Sequence, residues 1–169
     1  METDRERDRI RLPKAPDTIM FGYHGIGEQL VSVIKGISDD FLVSDIDPAA
    51  ISYLKNKNIK ALFGDASNPD LLRHLRAEKS KMIISTIPDI NVSRDILEYL
   101  KRKKSRATII LGAKTVEESR ELYKLGVHFV ILPNVLGGEY LAGLLSKKKT
   151  RKASWSQIAK KQAKQLTVR

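Results

Sequence analysis

The chain has 169 residues, which is enough for one α/β domain with a hydrophobic core but too short for two large domains. It contains no cysteine, which excludes disulfides, thiolate metal sites and cysteine nucleophiles and fits a reducing cytosol. No apolar run approaches the roughly 20 residues of a membrane span. The charged segment 1–18 lacks the pattern of a signal peptide, so we expect a soluble chain.

The net charge of +11 belongs to one end of the sequence. Residues 1–18 carry five acidic and five basic residues, and residues 19–146 carry 15 acidic and 17 basic ones. Residues 147–169 carry nine basic residues and no acidic residue. We therefore expect a charged leader or linker over 1–17, a nearly neutral folded domain over 18–146 and a basic tail over 147–169.

An apolar run at 18–23 leads into Gly22, Gly25 and Gly27 and then into an amphipathic segment. This order is typical of a strand, a tight turn and a helix N-terminus whose backbone N–H groups can bind a phosphate. The match to G-x-G-x-x-G is imperfect. Read from Gly22, the second glycine falls on His24, and read from Gly25, the third falls on Leu30.

Five further strands are predicted along the chain, at 41–44, 60–63, 81–85, 107–111 and 128–132. Helices are predicted at 25–35, 47–57, from 68 onward, at 92–103, 116–125 and 136–145, the last of them in the core. Gly36 and Gly126 follow two of these helices and are predicted to end them. Such alternation predicts a Rossmann-like, doubly wound six-stranded parallel sheet of order 3-2-1-4-5-6, with helices on both faces. The ligand crevice then lies at the carboxyl ends of the first and fourth strands.

Asp45 ends the second strand, 18 residues after Gly27. An acid at this position can accept both hydroxyls of an adenosine ribose and would repel a 2′-phosphate. NAD, ADP or AMP are therefore favoured over NADP, and Ile46 stands where an arginine would reverse that preference. The alternative role of Asp45 is to cap the next helix, a position for which Asp47 is better placed.

Other candidate residues lie at the predicted turns, each with an alternative role. Asp65 can reach the adenine edge, or it can cap the helix that begins at Asn68. Ser85 and Thr86 can face the phosphates or the second half of a dinucleotide, or they can simply be a polar strand end. His24 can donate a hydrogen bond to a phosphate, or its side chain can point away from the turn.

Catalytic residues are not evident in the sequence. Of the three histidines, His24, His74 and His128, only the first is near the predicted crevice. There is no metal-spaced cluster, no G-x-S-x-G elbow and no G-x-x-x-x-G-K-[ST] loop. We therefore predict that the chain binds a nucleotide and is not an enzyme. The alternative is a small NAD-dependent oxidoreductase, which would need a substrate domain and a proton donor.

The basic tail contains an S-x-x-Q pattern at Ser154 and Gln157, which predicts a capping box. Beyond it, Trp155, Ile158, Ala159, Gln162 and Leu166 would share one helical face, with most lysines elsewhere. Such a helix can lie on an acidic membrane surface or dock on a partner. The alternatives are a solvated tail or a connector to another domain, and a nucleic-acid site, against which the near-neutral core argues.

The chain resembles the N-lobe of RCK domains, also called KTN or TrkA-N domains, which regulate potassium channels, Trk-type uptake systems and Kef-like cation/proton antiporters. The matching stretches are 21–27, 44–48, 64–69, 85–89, 122–126 and 130–133. The most specific is the G-D-A-x-x-P pattern at 64–69, which raises Asp65 to an adenosine contact. The resemblance implies a cytoplasmic regulatory domain at the cytosolic face of the cell membrane. It also implies binding of NAD(H), AMP, ADP or ATP, and a homodimer formed through the sheet edge and the C-terminal helices.

The nucleotide-contacting residues implied by spacing and resemblance are Gly22, Tyr23, His24, Gly25, Ile26, Gly27, Asp45, Ile46, Asp65, Ala66, Ser85, Thr86 and Lys114. Three departures from the family pattern affect this set. His24 replaces the middle glycine, which favours AMP or ADP over NAD. Gly112 stands where family members often carry an arginine, and Lys114 is the candidate to replace it. The basic tail stands where the second RCK lobe would follow.

Overall fold

The structure is a computed structural model and describes residues 12–147 and 152–167. The strands are β1 Thr18–Phe21, β2 Phe41–Asp45, β3 Ala61–Phe63, β4 Met82–Ser85, β5 Thr108–Gly112 and β6 Phe129–Ile131. The helices are α1 Ile26–Ile37, α2 Pro48–Asn56, α3 Pro69–His74, α4 Ile90–Arg102, α5 Val116–Lys124, α6 Pro133–Ser146 and α7 Lys152–Thr167, with a short 3₁₀ turn at Ala77–Lys79. Residues 1–11 of the predicted charged leader lie outside the described residues.

The six strands form one parallel sheet in the order β3-β2-β1-β4-β5-β6, which confirms the predicted fold. β1 lies in the centre, where Phe21 pairs with Ser44 of β2 on one side and with Ser85 of β4 on the other. The strand order reverses at β1, because the chain goes from β1 to β2 and β3 on one side and to β4, β5 and β6 on the other. The carboxyl ends of β1, β2 and β4 therefore meet at one edge.

The central strands are buried on both faces, as their continuous apolar sequences predict. All four residues of β1 are buried, and Ile83 of β4 and Leu111 of β5 are fully buried. Leu72, Ile96, Leu100 and Leu122 from the helices pack in the same core. Burial of this apolar surface holds the strand ends in place, and the loops that follow them form the candidate site.

Some helix ends differ from the sequence predictions. Gly126 has φ +90° and follows Leu125, the C-cap residue of α5, which confirms its role in ending that helix. Gly36 was predicted to end α1, but the helix continues through it to Ile37 and is capped by Ser38. That prediction was wrong because glycine is tolerated inside a helix, at a cost of about 1 kcal/mol, where flanking residues such as Ile34 are held by the core.

The chain divides into two compact units, with the division between Leu132 and Pro133. The second unit contains α6 and α7. α6 was predicted as a core helix, and this is wrong in one respect: the helix is present, but none of its residues is buried. Its apolar residues are distributed around the whole helix, so the helix has no polar face to distinguish solvent from core.

The predicted capping box at Ser154 and Gln157 is also wrong, because α7 begins at Lys152 and Ser154 is already helical. Lysine, alanine and glutamine favour helix, so this segment becomes helical before its first serine. Ser156 is likewise accommodated within the helix, where its hydroxyl donates to the carbonyl of Lys152 at 3.1 Å. Within the described ranges, no helix has both the length and the apolarity needed to cross a bilayer.

Candidate functional site

The glycine turn connects β1 to α1 at the point where the strand order reverses. Gly22 has φ +88°, and its N–H donates to the carbonyl of Ser44 at 3.0 Å. Gly25 has φ +67° and stands at the N-cap of α1 without a side-chain cap. Both φ values lie in a region that residues with a Cβ rarely adopt. The start of α1 therefore offers backbone donors and the positive end of the helix dipole to an anion.

Gly27 allows α1 to begin directly against this turn. A Cβ added at Gly27 would lie 2.2 Å from the carbonyl oxygen of Gly22, which no side chain can occupy without moving the backbone. Gly22 therefore takes the tight-turn position of the dinucleotide-binding fingerprint, and Gly27 takes the close-packing position. The imperfect match to G-x-G-x-x-G therefore still predicts the correct turn. Its first and third positions hold the required glycines, and His24 at the middle position leaves both of their roles intact.

Asp45 connects this turn to the second strand. Its carboxylate is buried and accepts hydrogen bonds from the backbone N–H of Tyr23 at 2.7 Å and of Asp47 at 2.8 Å. Asp47, rather than Asp45, caps α2 by accepting from the N–H of Ala49 at 2.9 Å, as predicted. A carboxylate has about four acceptor positions, so two remain for other donors. Asp45 thus has a structural role that the sequence did not reveal, and it retains acceptor capacity at the crevice.

His24 extends sideways from the turn to the N-terminus of α2. Its Nε2 lies 2.8 Å from Oδ2 of Asp47, and its side chain remains largely exposed. This hydrogen bond, followed by that from the Ala49 backbone, lowers the pKa of Asp47 below its ordinary value. His24 therefore joins the glycine turn to the β2–α2 loop. The two predicted roles of His24 were a hydrogen bond to a phosphate and a side chain that points away from the turn. In the structure its side chain contacts the carboxylate of Asp47, beside the turn.

Ser85 and Thr86 lie on the other side of the turn, at the end of β4. The Thr86 hydroxyl donates to the carbonyl of Gly22 at 3.0 Å, and the Thr86 N–H donates to the carbonyl of Phe21 at 2.9 Å. Ser85 is fully buried, and its Oγ accepts from the N–H of Ile87 at 3.4 Å. Both residues lie at the switch point as predicted. Thr86 also stabilises the glycine turn, whereas the hydroxyl of Ser85 stabilises the loop that follows β4.

Asp65 and Ala66 follow β3, one strand further from β1. Asp65 is exposed, and its Oδ1 accepts from both the N–H and the hydroxyl of Ser67 at 2.9 and 2.8 Å. Asn68 itself caps α3 through the N–H of Asp70. Asp65 therefore organises the turn that precedes this helix, while Ala66 is buried. Gly64 connects this loop to the site, since its N–H donates to the carbonyl of Asp45 at 3.0 Å.

Lys114 follows β5 on the opposite side of the crevice and is exposed. Its N–H donates to Glu118 at 2.7 Å beside a capping box formed by Thr115 and Glu118. Gly112 explains the missing arginine, because a Cβ there would lie 2.8 Å from the carbonyl oxygen of Ile87. The β4–α4 loop therefore approaches β5 at a position where only glycine fits. Ile46 is also at the crevice and is exposed.

A second concave surface of about 1070 Å³ lies between α2 and α3 at the β3 edge of the sheet. Ile51, Leu62, Phe63 and Leu71 contribute apolar walls, and Asp65 is on its rim. The glycine turn and Asp45 do not line it, so it does not coincide with the switch-point crevice. In the part of the chain that the structure describes, no group of three or more acidic or histidine side chains could hold a metal ion.

The fold thus brings the predicted residues 22–27, 45–46 and 85–86 to adjoining strand ends, while 65–66 and 114 lie on flanking loops. Sequence reasoning missed the support given by Asp45 and Thr86 to the turn, because such contacts join residues more than 20 positions apart. It also missed the Thr115 capping box, although the T-x-x-E pattern there could have revealed it.

These observations define a Rossmann-like domain with a glycine turn at the switch point of its sheet. Residues 18–133 match the sequence model of the TrkA-N domain, and the chain belongs to that family. The resemblance found in the sequence is thereby confirmed. The chain is also 28% identical over 123 residues to the glutathione-regulated potassium-efflux system protein KefC of Klebsiella pneumoniae (strain 342), which covers 73% of this chain. It spans about a fifth of the length of that relative.

Solved structures share the fold. The TrkA-N domain of inner membrane protein YbaL from Escherichia coli superposes with a TM-score of 0.72 and 20% identity, covering 79% of this chain and 99% of that one. The Shewanella denitrificans Kef CTD in an AMP-bound form superposes with a TM-score of 0.66 and 17% identity, covering 89% of this chain and 91% of that one. The GsuK channel bound to NAD superposes with a TM-score of 0.61 and 20% identity, covering 73% of this chain and 23% of that one.

Proposed function

We propose that this chain is a regulatory nucleotide-binding domain that controls potassium or cation/proton transport across a membrane. The observation that carries the proposal is the meeting of three features at the switch point: the glycine turn, the uncapped start of α1 and the carboxylate of Asp45. Membership of the TrkA-N family supports it, as do the AMP and NAD named for two proteins of the same fold.

The phosphate of the ligand would bind the first N–H groups of α1, at Ile26 and Gly27, where positive φ at Gly25 leaves space for close approach. The ribose hydroxyls would donate to the remaining acceptor positions of Asp45. Because Asp45 already accepts from the N–H of Tyr23, nucleotide and turn share one carboxylate. A change in how that carboxylate is occupied therefore acts on the turn itself.

The flanking loops would complete the site. Ile46 and Asp65 lie exposed on the β2 and β3 side and would contact the adenosine, with the buried Ala66 beneath them. Ser85 and Thr86 would lie near the phosphates, and the exposed Lys114 would add positive charge from the β5 side.

Among NAD(H), AMP, ADP and ATP, the turn favours the mononucleotides. His24 stands where a glycine would let a pyrophosphate approach the backbone, and its contact with Asp47 holds a side chain at that position. We therefore expect AMP, which has no pyrophosphate, to bind more tightly than NAD. ADP should do so as well, because its second phosphate is terminal and can turn away from the backbone. Replacing His24 with glycine should reduce this difference.

Titration calorimetry with AMP, ADP, NAD and NADP tests the site. We expect Asp45→Ala to weaken AMP binding about 30-fold, because hydrogen bonds to a charged group are lost. Asp95→Ala, which removes an exposed acid from α4, is the matched control and should bind as the native chain does. Equal AMP affinity for the native chain and Asp45→Ala would contradict the site assignment.

Asp45 also supports the fold, so a second measurement separates binding from stability. The ratio of NAD to NADP affinity reports the repulsion between this carboxylate and a 2′-phosphate, whatever the stability of the variant. We expect the native chain to prefer NAD and Asp45→Asn to lose most of that preference. An unchanged ratio in a folded Asp45→Asn chain would place the ribose elsewhere.

Association with a second copy is part of the proposal. α6 exposes Val135, Tyr140, Leu141 and Leu145, and none of its residues is buried, so the helix has apolar surface available for a homodimer. Sedimentation equilibrium should show a dimer that Leu141→Glu weakens. Ile37→Glu is the matched control, because it places the same charge on an exposed apolar position of α1. Equal effects of the two substitutions would exclude α6 as the interface.

An enzymatic role is the alternative. Hydride transfer needs a proton donor beside the nicotinamide. The imidazole at the turn, that of His24, is paired with Asp47. Membership of the TrkA-N family favours regulation over hydride transfer. We therefore propose that the domain acts on a membrane channel, transporter or cation/proton antiporter at the cytosolic face, by binding nucleotide differently in its two states. Turnover of NADH by the purified chain with a carbonyl substrate would favour the oxidoreductase instead.

A further inference from the structure

α7 is not explained by the TrkA-N fold, because the family match ends at residue 133. Its side chains Lys152, Lys160, Lys161 and Lys164 are exposed, and it contains no acidic residue. The surrounding sequence from 147 to 169 carries nine basic residues and no acidic one, whereas residues 19–146 are nearly neutral. The positive charge of the protein is therefore concentrated on and around one helix.

Two of the four lysines lie opposite the apolar residues of the helix. At 3.6 residues per turn, Trp155, Ile158 and Ala159 share one face, and Lys160 and Lys164 lie on the opposite one. Lys152 and Lys161 lie at the two borders of the apolar face. Trp155 and Ile158 are only half-buried, so part of this apolar face remains accessible. Helices with this pattern lie in the plane of a membrane interface, where the apolar side enters the headgroup region and the lysines meet anionic lipid.

We propose that α7 binds the surface of an anionic lipid bilayer. A bilayer uses both faces of the helix at once, since the lysines meet anionic headgroups and Trp155 and Ile158 enter the interface. A nucleic acid would use the lysines and leave the indole and isoleucine in water. The proposal does not depend on nucleotide binding at the glycine turn, so the two can fail separately.

Trp155 is the only tryptophan in the chain, which makes its fluorescence a reporter of this helix alone. The experiment mixes the full chain with vesicles of phosphatidylcholine, or of phosphatidylcholine and phosphatidylglycerol in equal parts. We expect co-sedimentation with the anionic vesicles and a shift of Trp155 emission to shorter wavelength. With the neutral vesicles, we expect much less co-sedimentation and a much smaller emission shift. Added salt should weaken binding to the anionic vesicles.

Two variants test the two faces. Lys160→Gln, Lys161→Gln and Lys164→Gln together should lower partitioning about a hundredfold, at roughly fivefold for each lysine near an anionic surface. Lys101→Gln, Lys103→Gln and Lys124→Gln remove the same charge from exposed positions elsewhere and should change it by about twofold at most. Ile158→Gln should lower partitioning about tenfold and reduce the emission shift.

Circular dichroism and thermal unfolding establish that each variant is folded. The proposal is overturned if native protein partitions equally onto neutral and anionic vesicles, or onto neither. It is overturned as well if the two lysine triples behave alike. Binding of duplex DNA, lost in the α7 triple and unaccompanied by vesicle binding, would assign the helix to nucleic acid.

Discussion

The region around the glycine turn and the C-terminal helix α6 differ in what holds their residues in place. Around the glycine turn, backbone and side chains from β1, β2 and β4 hydrogen-bond to one another, and the strands beneath are buried. In α6, no residue is buried, and Tyr140, Leu141 and Leu145 are exposed. The first region is therefore stabilised by internal packing, whereas α6 leaves apolar side chains exposed. Matched substitutions in the two regions should therefore have different effects on stability.

The largest difference is expected for leucine truncation. Leu111 is fully buried in β5, so Leu111→Ala should lower the free energy of unfolding by about 3 kcal/mol through lost apolar contact and a cavity. In the dilute monomer, Leu141→Ala in α6 removes the same atoms from an exposed side chain and should change the free energy of unfolding by about 0.5 kcal/mol or less. Urea denaturation measures both. Similar losses for the two variants would show that α6 is packed as tightly as the core.

Glycine substitution should give effects of opposite sign. Gly27→Ala places a Cβ 2.2 Å from the carbonyl oxygen of Gly22, so we expect a loss of about 2 kcal/mol and weaker binding of AMP. Gly143→Ala in α6 meets open space within a helix and should raise helix stability by up to about 1 kcal/mol. The measurement is denaturant unfolding with AMP titration. A stable Gly27→Ala chain with native AMP affinity would refute the close-packing role of this glycine.

Removal of a hydroxyl should have a smaller effect. Thr86→Val loses the hydrogen bond to the carbonyl of Gly22 while keeping the side-chain shape, and should cost about 1 kcal/mol. Ser146→Ala loses a comparable bond, from its hydroxyl to the carbonyl of Gly143, at an exposed site and should be nearly neutral. Thermal unfolding compares the two. Equal costs would mean that the contact of Thr86 with the turn adds nothing to its stability.

The smallest expected effect is on pH dependence in the crevice. The hydrogen bond from His24 lowers the pKa of Asp47, so the folded chain binds a proton there less readily than the unfolded chain. The stabilisation is therefore present above the unfolded pKa of Asp47 and is lost as pH falls through the lower folded value. Carboxyl NMR titration should show that His24→Ala raises the pKa of Asp47. An unchanged value would show that His24 is not its partner in solution.

The sheet was predictable because the alternation of strands and helices, and the continuous apolar character of the strands, depend on local sequence. The roles of Asp47 and Gly126 at helix ends were also predictable, since caps are formed by residues a few positions apart. Gly36 and Ser154 were misassigned from equally local signals, because helix extension is decided by neighbouring propensity and packing. The prediction that α6 lies in the core was wrong for another reason. An apolar sequence predicts burial, but it does not specify which other surface covers the helix.

Within the site, the sequence by itself determined which residues come near the crevice, because the carboxyl ends of parallel strands meet at one edge. It identified the glycine turn, Asp45 and the pair Ser85 and Thr86 in this way. Only the tertiary structure decided what those groups contact: Asp45 with Tyr23, Thr86 with Gly22, and His24 with Asp47. These bonds join residues more than 20 positions apart, and hydrogen-bond partners at such separations depend on ångström-scale placement that no local pattern specifies.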